Sequence, residues 1–530
     1  MSADKIQPSY EVSSSPDPDA YPDEAKNPLE AVISYDGMTA QERFPNIDEK
    51  KVLRKMDMHL LPMLAVLYLL SFLDRGNIGN AKIEGLVEDL GLSSKQYNLC
   101  LTIFFITYSF FEVPSNMCLK LLRPSIWLPS IMIAWGVVMT LMGIVHNFAG
   151  LFACRLFLGV AEAGLFPGAT YILTMWYCKG EIQFRQAMFF SAASVAGAFS
   201  GLLAFGISKM DGIGGLEGWR WIFILEGLLT VLVAFGSFWG LQDFPETASF
   251  LTPEEREFVL WRLANDSNNT PGGEVTESRK IQYSDASSRV PLVEKKSTPW
   301  QPIKQVLSDW QCWFHLVVYY SIIVPLYGIS LFLPTIILNL GYTSAKAQLM
   351  TVPIYISASI AGVAQALFSD RVGLRSPFLV MNLLFLIVGY SMCVATDPRV
   401  KPGVIYGGCY LIALGLYPAF PGAISWNANN LAGSYKRAVG MAFNIGIGNF
   451  GGAIASNIYI AKDKPRFILG HSVELGFISL GLCGIIVLVT VYRKINDKRE
   501  KELQDGKWDG YTREEIFDMG DKSPLYRYSL

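Results

Sequence analysis

Charge is scarce in this 530-residue chain: Asp, Glu, Lys and Arg make up 17% of it, where about 25% is usual for a soluble domain. Histidine is scarcer, with four residues and no H-E-x-x-H pair. There is also no G-x-x-x-x-G-K-[ST] loop and no G-x-S-x-G elbow. These absences remove zinc-peptidase, P-loop and α/β-hydrolase chemistry, and no enzymatic activity or catalytic residue is expected. Eight cysteines, at 100, 118, 154, 178, 312, 393, 409 and 483, form no C-x-x-C. Neither a disulfide framework nor a zinc site is indicated, and no metal or cofactor is expected. A net charge of −2 gives no sign of a nucleic-acid partner.

What is abundant is apolar surface. Hydrophobic residues make up 51% of the chain and aromatics 13%, gathered into segments of roughly 20 residues, the length that crosses a bilayer as a helix. Lipid permits only helices and closed barrels as spanning structures, so an all-α membrane protein is expected. Candidate spans lie at about 58–79, 97–119, 127–145, 149–173, 186–208 and 221–240, then about 312–338, 348–368, 376–394, 403–426, 438–460 and 473–492. Twelve spans put both termini on one side. The basic flanks Lys50, Lys51, Arg54, Lys55, Arg493 and Lys494 assign that side to the cytosol.

The expected organisation is an acidic, proline-bearing disordered tail (1–49), a six-helix bundle (50–240), a cytosolic loop (241–310), a second six-helix bundle (311–492) and a cytosolic tail (493–530). The first tail lacks the basic and apolar regions of a cleavable signal. The sequons Asn265-Asp266-Ser267 and Asn268-Asn269-Thr270 are expected to stay unglycosylated because their loop is cytosolic. Phe166-Pro167-Gly168-Ala169 recurs as Phe420-Pro421-Gly422-Ala423, and Arg185 is echoed by Arg437. The repeat implies 6+6 pseudo-symmetric halves with a substrate site at their interface near the midplane. Pro167 and Pro421 are expected to bend or end their helices, while the glycines at 195–206 and 446–452 let helices approach closely.

Against this background the intramembrane charges stand out. Arg155 and Glu162 are seven positions apart, about 700° of helix, so they share a face roughly 10.5 Å apart along the axis. A charge at bilayer depth costs at least ~2.5 kcal/mol and normally faces a bundle interior or cavity. The first span adds Asp74 and Arg75, and the opposed directions of spans one and four allow Asp74 to meet Arg155. A structural brace needs one pair. Two acids and two arginines can exchange partners, as a carrier of a charged solute requires.

Asp370-Arg371-Val372-Gly373-Leu374-Arg375 and Arg155-x-x-x-Gly159 resemble the loop and fourth-span motifs of the major facilitator superfamily. Ser71-Phe-Leu-Asp74-Arg75-Gly-Asn77, Gly218-Trp-Arg-Trp-Ile-Phe-Ile-Leu-Glu226-Gly227 and Phe244-Pro-Glu-Thr resemble its anion:cation symporter branch. Ile424-Ser-Trp-Asn-Ala-Asn-Asn430 and Asn449-Phe-Gly-Gly-Ala-Ile-Ala-Ser-Asn457 most resemble fungal allantoate and nicotinic acid permeases. The resemblance covers roughly 50–500. It implies the major facilitator fold with 12 transmembrane helices, anion recognition by Arg75 and Arg155, and proton carriage by Asp74 and Glu162.

Physical chemistry agrees with those roles: guanidinium stays charged and matches a carboxylate bidentately. Burial and a nearby arginine pull a carboxylate's proton affinity in opposite directions, so anion binding can alter proton occupancy. Tyr327, Tyr355, Trp426, Asn427 and Asn449 are the further substrate-binding candidates, suited to stacking on a flat acid and to amide hydrogen bonds. His315 is expected at the interface. Glu112 is expected at the cytosolic gate, and Asp370, Arg371 and Arg375 as an inter-helix latch. The expected partners are a small organic anion, a proton and the lipid bilayer, for a monomeric carrier in the plasma membrane. An exporter or facilitator on the same fold is the alternative, and a non-transporting sensor or enzyme is the least supported. Which organic anion is carried stays open.

Overall fold

The computed structural model describes residues 43–268, 300–432, 434–508, 510–511, 516 and 519–530. The expectations for the N-terminal tail up to residue 42 and for the central loop over 269–299 lie outside the described residues. So do the side chains of both sequons.

Among the described residues every regular element is helical. The first six spans are α1 (Glu49–Ile83), α2 (Ser94–Leu121), α3 (Pro124–Met142), α4 (Phe148–Trp176), α5 (Lys179–Ile207) and α6 (Gly218–Gly240). The second six are α7 (Trp310–Leu338), α8 (Ser344–Val372), α9 (Ser376–Ala395), α10 (Pro402–Asn429), α11 (Ser434–Gly448 with Phe450–Ile458) and α12 (Ile468–Gln504). Their starts carry local signals. The Asp48 carboxylate accepts from Lys51 N–H at the head of α1, Ser93 and Gln96 form a reciprocal capping box before α2, and Asn147 and Thr343 cap α4 and α8. Each satisfies a donor that helix geometry leaves unpaired.

Eleven of these helices are long and apolar enough to cross a membrane. The exception is α11, which was expected as one span over 438–460. A one-residue turn at Asn449, itself at helical φ −62° and ψ −21°, divides it into two shorter helices. A second interruption follows Glu162, where α4 breaks at Ala163–Gly164 before resuming at Leu165. Pro167 then sits in the first turn of the resumed helix, where its missing N–H costs little. Pro421 does not end its helix: α10 runs on through it to Asn429. Ser425 Oγ donates to the Pro421 carbonyl at 2.8 Å, and buried neighbours permit such prolines inside spanning helices.

Helix packing repeats with a shift of six. Within the first half α1 packs on α5 and α6, α2 on α4, and α3 on α4 and α6; within the second, α7 packs on α11 and α12, α8 on α10, and α9 on α10 and α12. The halves meet where α1 packs on α7, α2 on α11 and α5 on α8. Two glycines explain how closely they approach. A Cβ on Gly79 would lie 2.7 Å from the Leu331 carbonyl oxygen, and one on Gly201 would lie 2.7 Å from that of Gln348, distances no real side chain tolerates.

Both α1 and α12 have their chain-terminal ends at the same face of the bundle. There the first half carries ion pairs between Asp57 and Arg185 (2.6 Å), Lys55 and Glu255 (2.6 Å), and Arg262 with Glu49 and Glu181. In the second half Lys436, at the start of α11, bonds Asp309 at 2.5 Å and Asp521 at 2.6 Å. The last eleven residues are packed here. Tyr528 stacks on Tyr492 at 4.4 Å, Arg499 donates to the Tyr526 carbonyl, and the backbone N–H of Arg375 donates to Leu530.

Candidate functional site

The interior of the bundle holds the polar residues that an apolar environment makes costly unless partnered. Arg75 on α1 and Glu162 on α4 form a buried ion pair, Nε to Oε1 at 2.6 Å. Ser71, one turn before Arg75, donates to the same oxygen at 2.5 Å. Arg75 Nη1 donates to the Tyr327 hydroxyl of α7 at 3.3 Å. Tyr327 in turn donates to Asn449 Oδ1 at 3.2 Å, and Asn449 Nδ2 donates to Glu112 Oε2 of α2 at 2.9 Å. One hydrogen-bonded chain, Glu162–Arg75–Tyr327–Asn449–Glu112, thus leaves the first half, crosses the second and returns. Asn449 lies between the two pieces of α11.

Arg155 has a different environment. It is 2% exposed, and its Nε and Nη2 have no hydrogen-bond partner. Its guanidinium lies 6.0 Å from the centre of the Phe104 ring, and that of Arg75 lies 5.8 Å from the same ring. Phe104 thus neighbours both an ion-paired arginine and one whose Nε and Nη2 lack a hydrogen-bond partner.

The expected meeting of Asp74 with Arg155 is not found. Asp74 turns into the wall of the first half, where its Oδ2 accepts from Trp135 Nε1 of α3 and Thr230 Oγ1 of α6, each at 3.0 Å. The shared face of Arg155 and Glu162 is real, since both are buried, but Glu162 reaches across to Arg75. Glu112, expected at a gate, is 3% exposed and held in the central chain. Tyr355 lies between the halves, edge-on to Tyr417 at 5.8 Å. With Phe72, Gly76, Asn80, Ser200 and Tyr417 it lines a cavity of about 20 Å³. That is room for about one water, against ~300–1,000 Å³ for a typical small-molecule pocket. Within the spans, Phe190 and Phe420 stack across the halves at 4.1 Å. At the C-terminal end of α1, Glu84 accepts from Ser344 and from Gln348.

The remaining candidates lie elsewhere. Trp426 donates to the Ser529 carbonyl at 2.9 Å and Asn427 faces Met441, both at the terminal face because they sit in the last turn of α10. His315 is buried rather than interfacial, 3.0 Å from the Tyr492 hydroxyl. Arg375 donates to Ser369 at 2.5 Å, Arg371 is exposed, and the side chain of Asp370 lies outside the described residues. Sequence reasoning missed Ser71, Asn77, Trp135 and Thr230 as partners, and it used Glu226 only as part of a motif. An acid in an apolar run was signal enough for Glu226. The neutral residues gave none.

Two six-helix halves pack around a buried, charged seam, the architecture of a multi-pass helical membrane protein. Residues 64–456 match the model of the Major Facilitator Superfamily, and the chain belongs to that family. It is 36% identical over 497 residues to the MFS-type transporter cnsO of Penicillium expansum, covering 92% of each chain. It is 32% identical over 481 residues to the high-affinity nicotinic acid transporter of Saccharomyces cerevisiae, covering 91% of this chain and 85% of the relative. A bacterial homologue of the human lysosomal transporter Spinster, inward-facing and occupied, superposes with a TM-score of 0.54 at 15% identity. That match covers 82% of this chain and 94% of the other, a likeness of fold. The chain is a multi-pass membrane transporter and not an enzyme.

Proposed function

We propose that the protein is a proton-coupled symporter of a small organic anion, a carboxylate of the nicotinate or allantoate kind, working by alternating access. The observation that carries this reading is Arg155, a buried guanidinium with two unpaired N–H donors. A buried charge without a counter-ion is strongly unfavourable, and a planar carboxylate matches both the charge and the fork of donors. The similarity to a nicotinic acid transporter favours the same substrate class and the fungal anion:cation symporter branch.

The mechanism follows from the partners. A carboxylate entering between Arg155 and Arg75 competes with Glu162 for Arg75. Glu162, released, takes a proton, so the loaded carrier crosses charge-compensated. The Tyr327–Asn449–Glu112 chain transmits the change in Arg75 to the second half, and Tyr355 borders the path. The plasma membrane, cytosolic termini and a monomeric carrier complete the proposal.

The test is uptake of labelled nicotinate into proteoliposomes with and without an inward proton gradient. Wild type should accumulate it only with the gradient, while Glu162→Gln should exchange without accumulating. Gradient-driven accumulation in both Glu162→Gln and Asp74→Asn would refute the coupling scheme. Transport of other carboxylates but not nicotinate would keep the scheme and change the substrate.

A further inference from the structure

Asp74 has a neighbour that the scheme above leaves unused. On α6, Glu226 is 2% exposed, and its Oε2 accepts from Asn77 Nδ2 of α1 at 2.6 Å. Asp74 and Thr230 form the adjacent rung at 3.0 Å. The two helices therefore make a ladder, Asp74–Thr230 and Asn77–Glu226, with one acid on each rung. Three residues separate the rungs on α1 and four on α6, so the acids stand roughly 4.5–6 Å apart along the seam, about one helical turn. Each acid keeps one buried oxygen with no hydrogen-bond partner, Oδ1 of Asp74 and Oε1 of Glu226.

We infer that Asp74 and Glu226 act as one electrostatically coupled pair that holds a single proton, so that Glu226 is a coupling residue of the carrier. Two ionised carboxylates this close in a buried seam repel, and paired acids elsewhere resolve that repulsion by holding one proton jointly. The surroundings supply no other counter-charge at hydrogen-bond distance. Glu162 and Arg155 on α4 also act on Asp74 electrostatically; Arg75 is turned to Glu162. Trp135 on α3, Thr230 on α6 and Ser200 on α5, which touches Asn77, are neutral. A purely structural Glu226 would have both oxygens satisfied, as buried polar groups normally do.

This inference deepens the proton-coupled reading and rests on it only for the link to transport; the shared proton is measurable without substrate. In nanodiscs, the protonated-carboxyl infrared band is followed as buffer is stepped from acid to alkaline for wild type, Glu226→Gln, Asp74→Asn and Thr230→Val. The two acid variants should remove or displace the same wild-type transition, while Thr230→Val, keeping both acids, should shift it without removing it. A transition unchanged in either acid variant overturns the pair, and so does one abolished by sodium at constant pH, which would mean a metal cation in the proton's place. In proteoliposomes with a pH gradient of about one unit, one coupled proton supports roughly tenfold accumulation, which Glu226→Gln should lose. Wild type showing the shared band but no gradient dependence with any carboxylate would keep the pair and sink the symport reading.

Discussion

The Arg75–Glu162 pair allows a quantitative test of how the central site is held. Both side chains are almost wholly buried, and their contact is 2.6 Å. Removing one partner leaves the other charge stranded in a low-dielectric interior, a change that costs about 3–5 kcal/mol in buried pairs. Polar contacts between membrane helices usually measure less, about 0.6 kcal/mol on average, because neutral groups find other partners. Here the stranded group is an ion and, among the described residues, Ser71 is the only other donor to the Glu162 oxygen, so the larger range should apply. Glu162→Gln and Arg75→Gln should each destabilise the carrier by about 3–5 kcal/mol, and the double variant should recover most of one loss. The assay is unfolding of purified protein in mixed micelles with rising SDS, followed by tryptophan fluorescence. Additive losses in the double variant would show that the two residues do not act as a pair, and the reasoning would fail with them.

Arg155→Lys should keep the fold, since the charge stays, but raise KM for the transported anion by roughly tenfold or more, about 1.4 kcal/mol, because an ammonium cannot offer two parallel donors. Unchanged KM would remove Arg155 from the binding site. Tyr327→Phe deletes one hydroxyl that bridges Arg75 and Asn449; losing about 1–3 kcal/mol of coupling should slow turnover more than it weakens binding, read as kcat against KM. Gly79→Val should hold α1 away from α7, given the 2.7 Å available to its Cβ, and speed maleimide labelling of a cysteine placed at Asn80. Deleting residues 520–530 removes Asp521 from Lys436 and the Ser529 carbonyl from Trp426. The end of α10 should then be cut more readily in limited proteolysis while the first half stays protected.

Much of the architecture was legible from residue types alone. Apolar runs of bilayer length admit few structures other than helices, so the span positions follow from composition. The repeated Phe-Pro-Gly-Ala has its counterpart in the shift-of-six packing. Charges in apolar helices have few reasons to exist, so Asp74, Arg75, Arg155 and Glu162 identified themselves, and Glu226 could have. The break at Asn449 was not legible, because glycine and asparagine in this stretch are equally compatible with close packing of a continuous helix.

Sequence by itself therefore determined the class of molecule, its two halves and which ionisable residues lie inside the apolar helices. Only the tertiary structure decided who meets whom. Helical spacing says that Arg155 and Glu162 share a face, but a shift of one residue in depth turns a helix by about 100°. The rotation and depth of α1 against α4 come from packing over many apolar contacts that no pair of charges dictates. That packing turned Arg75 to Glu162, sent Asp74 into the α3–α6 wall beside Glu226, and left Arg155 the guanidinium without an acid.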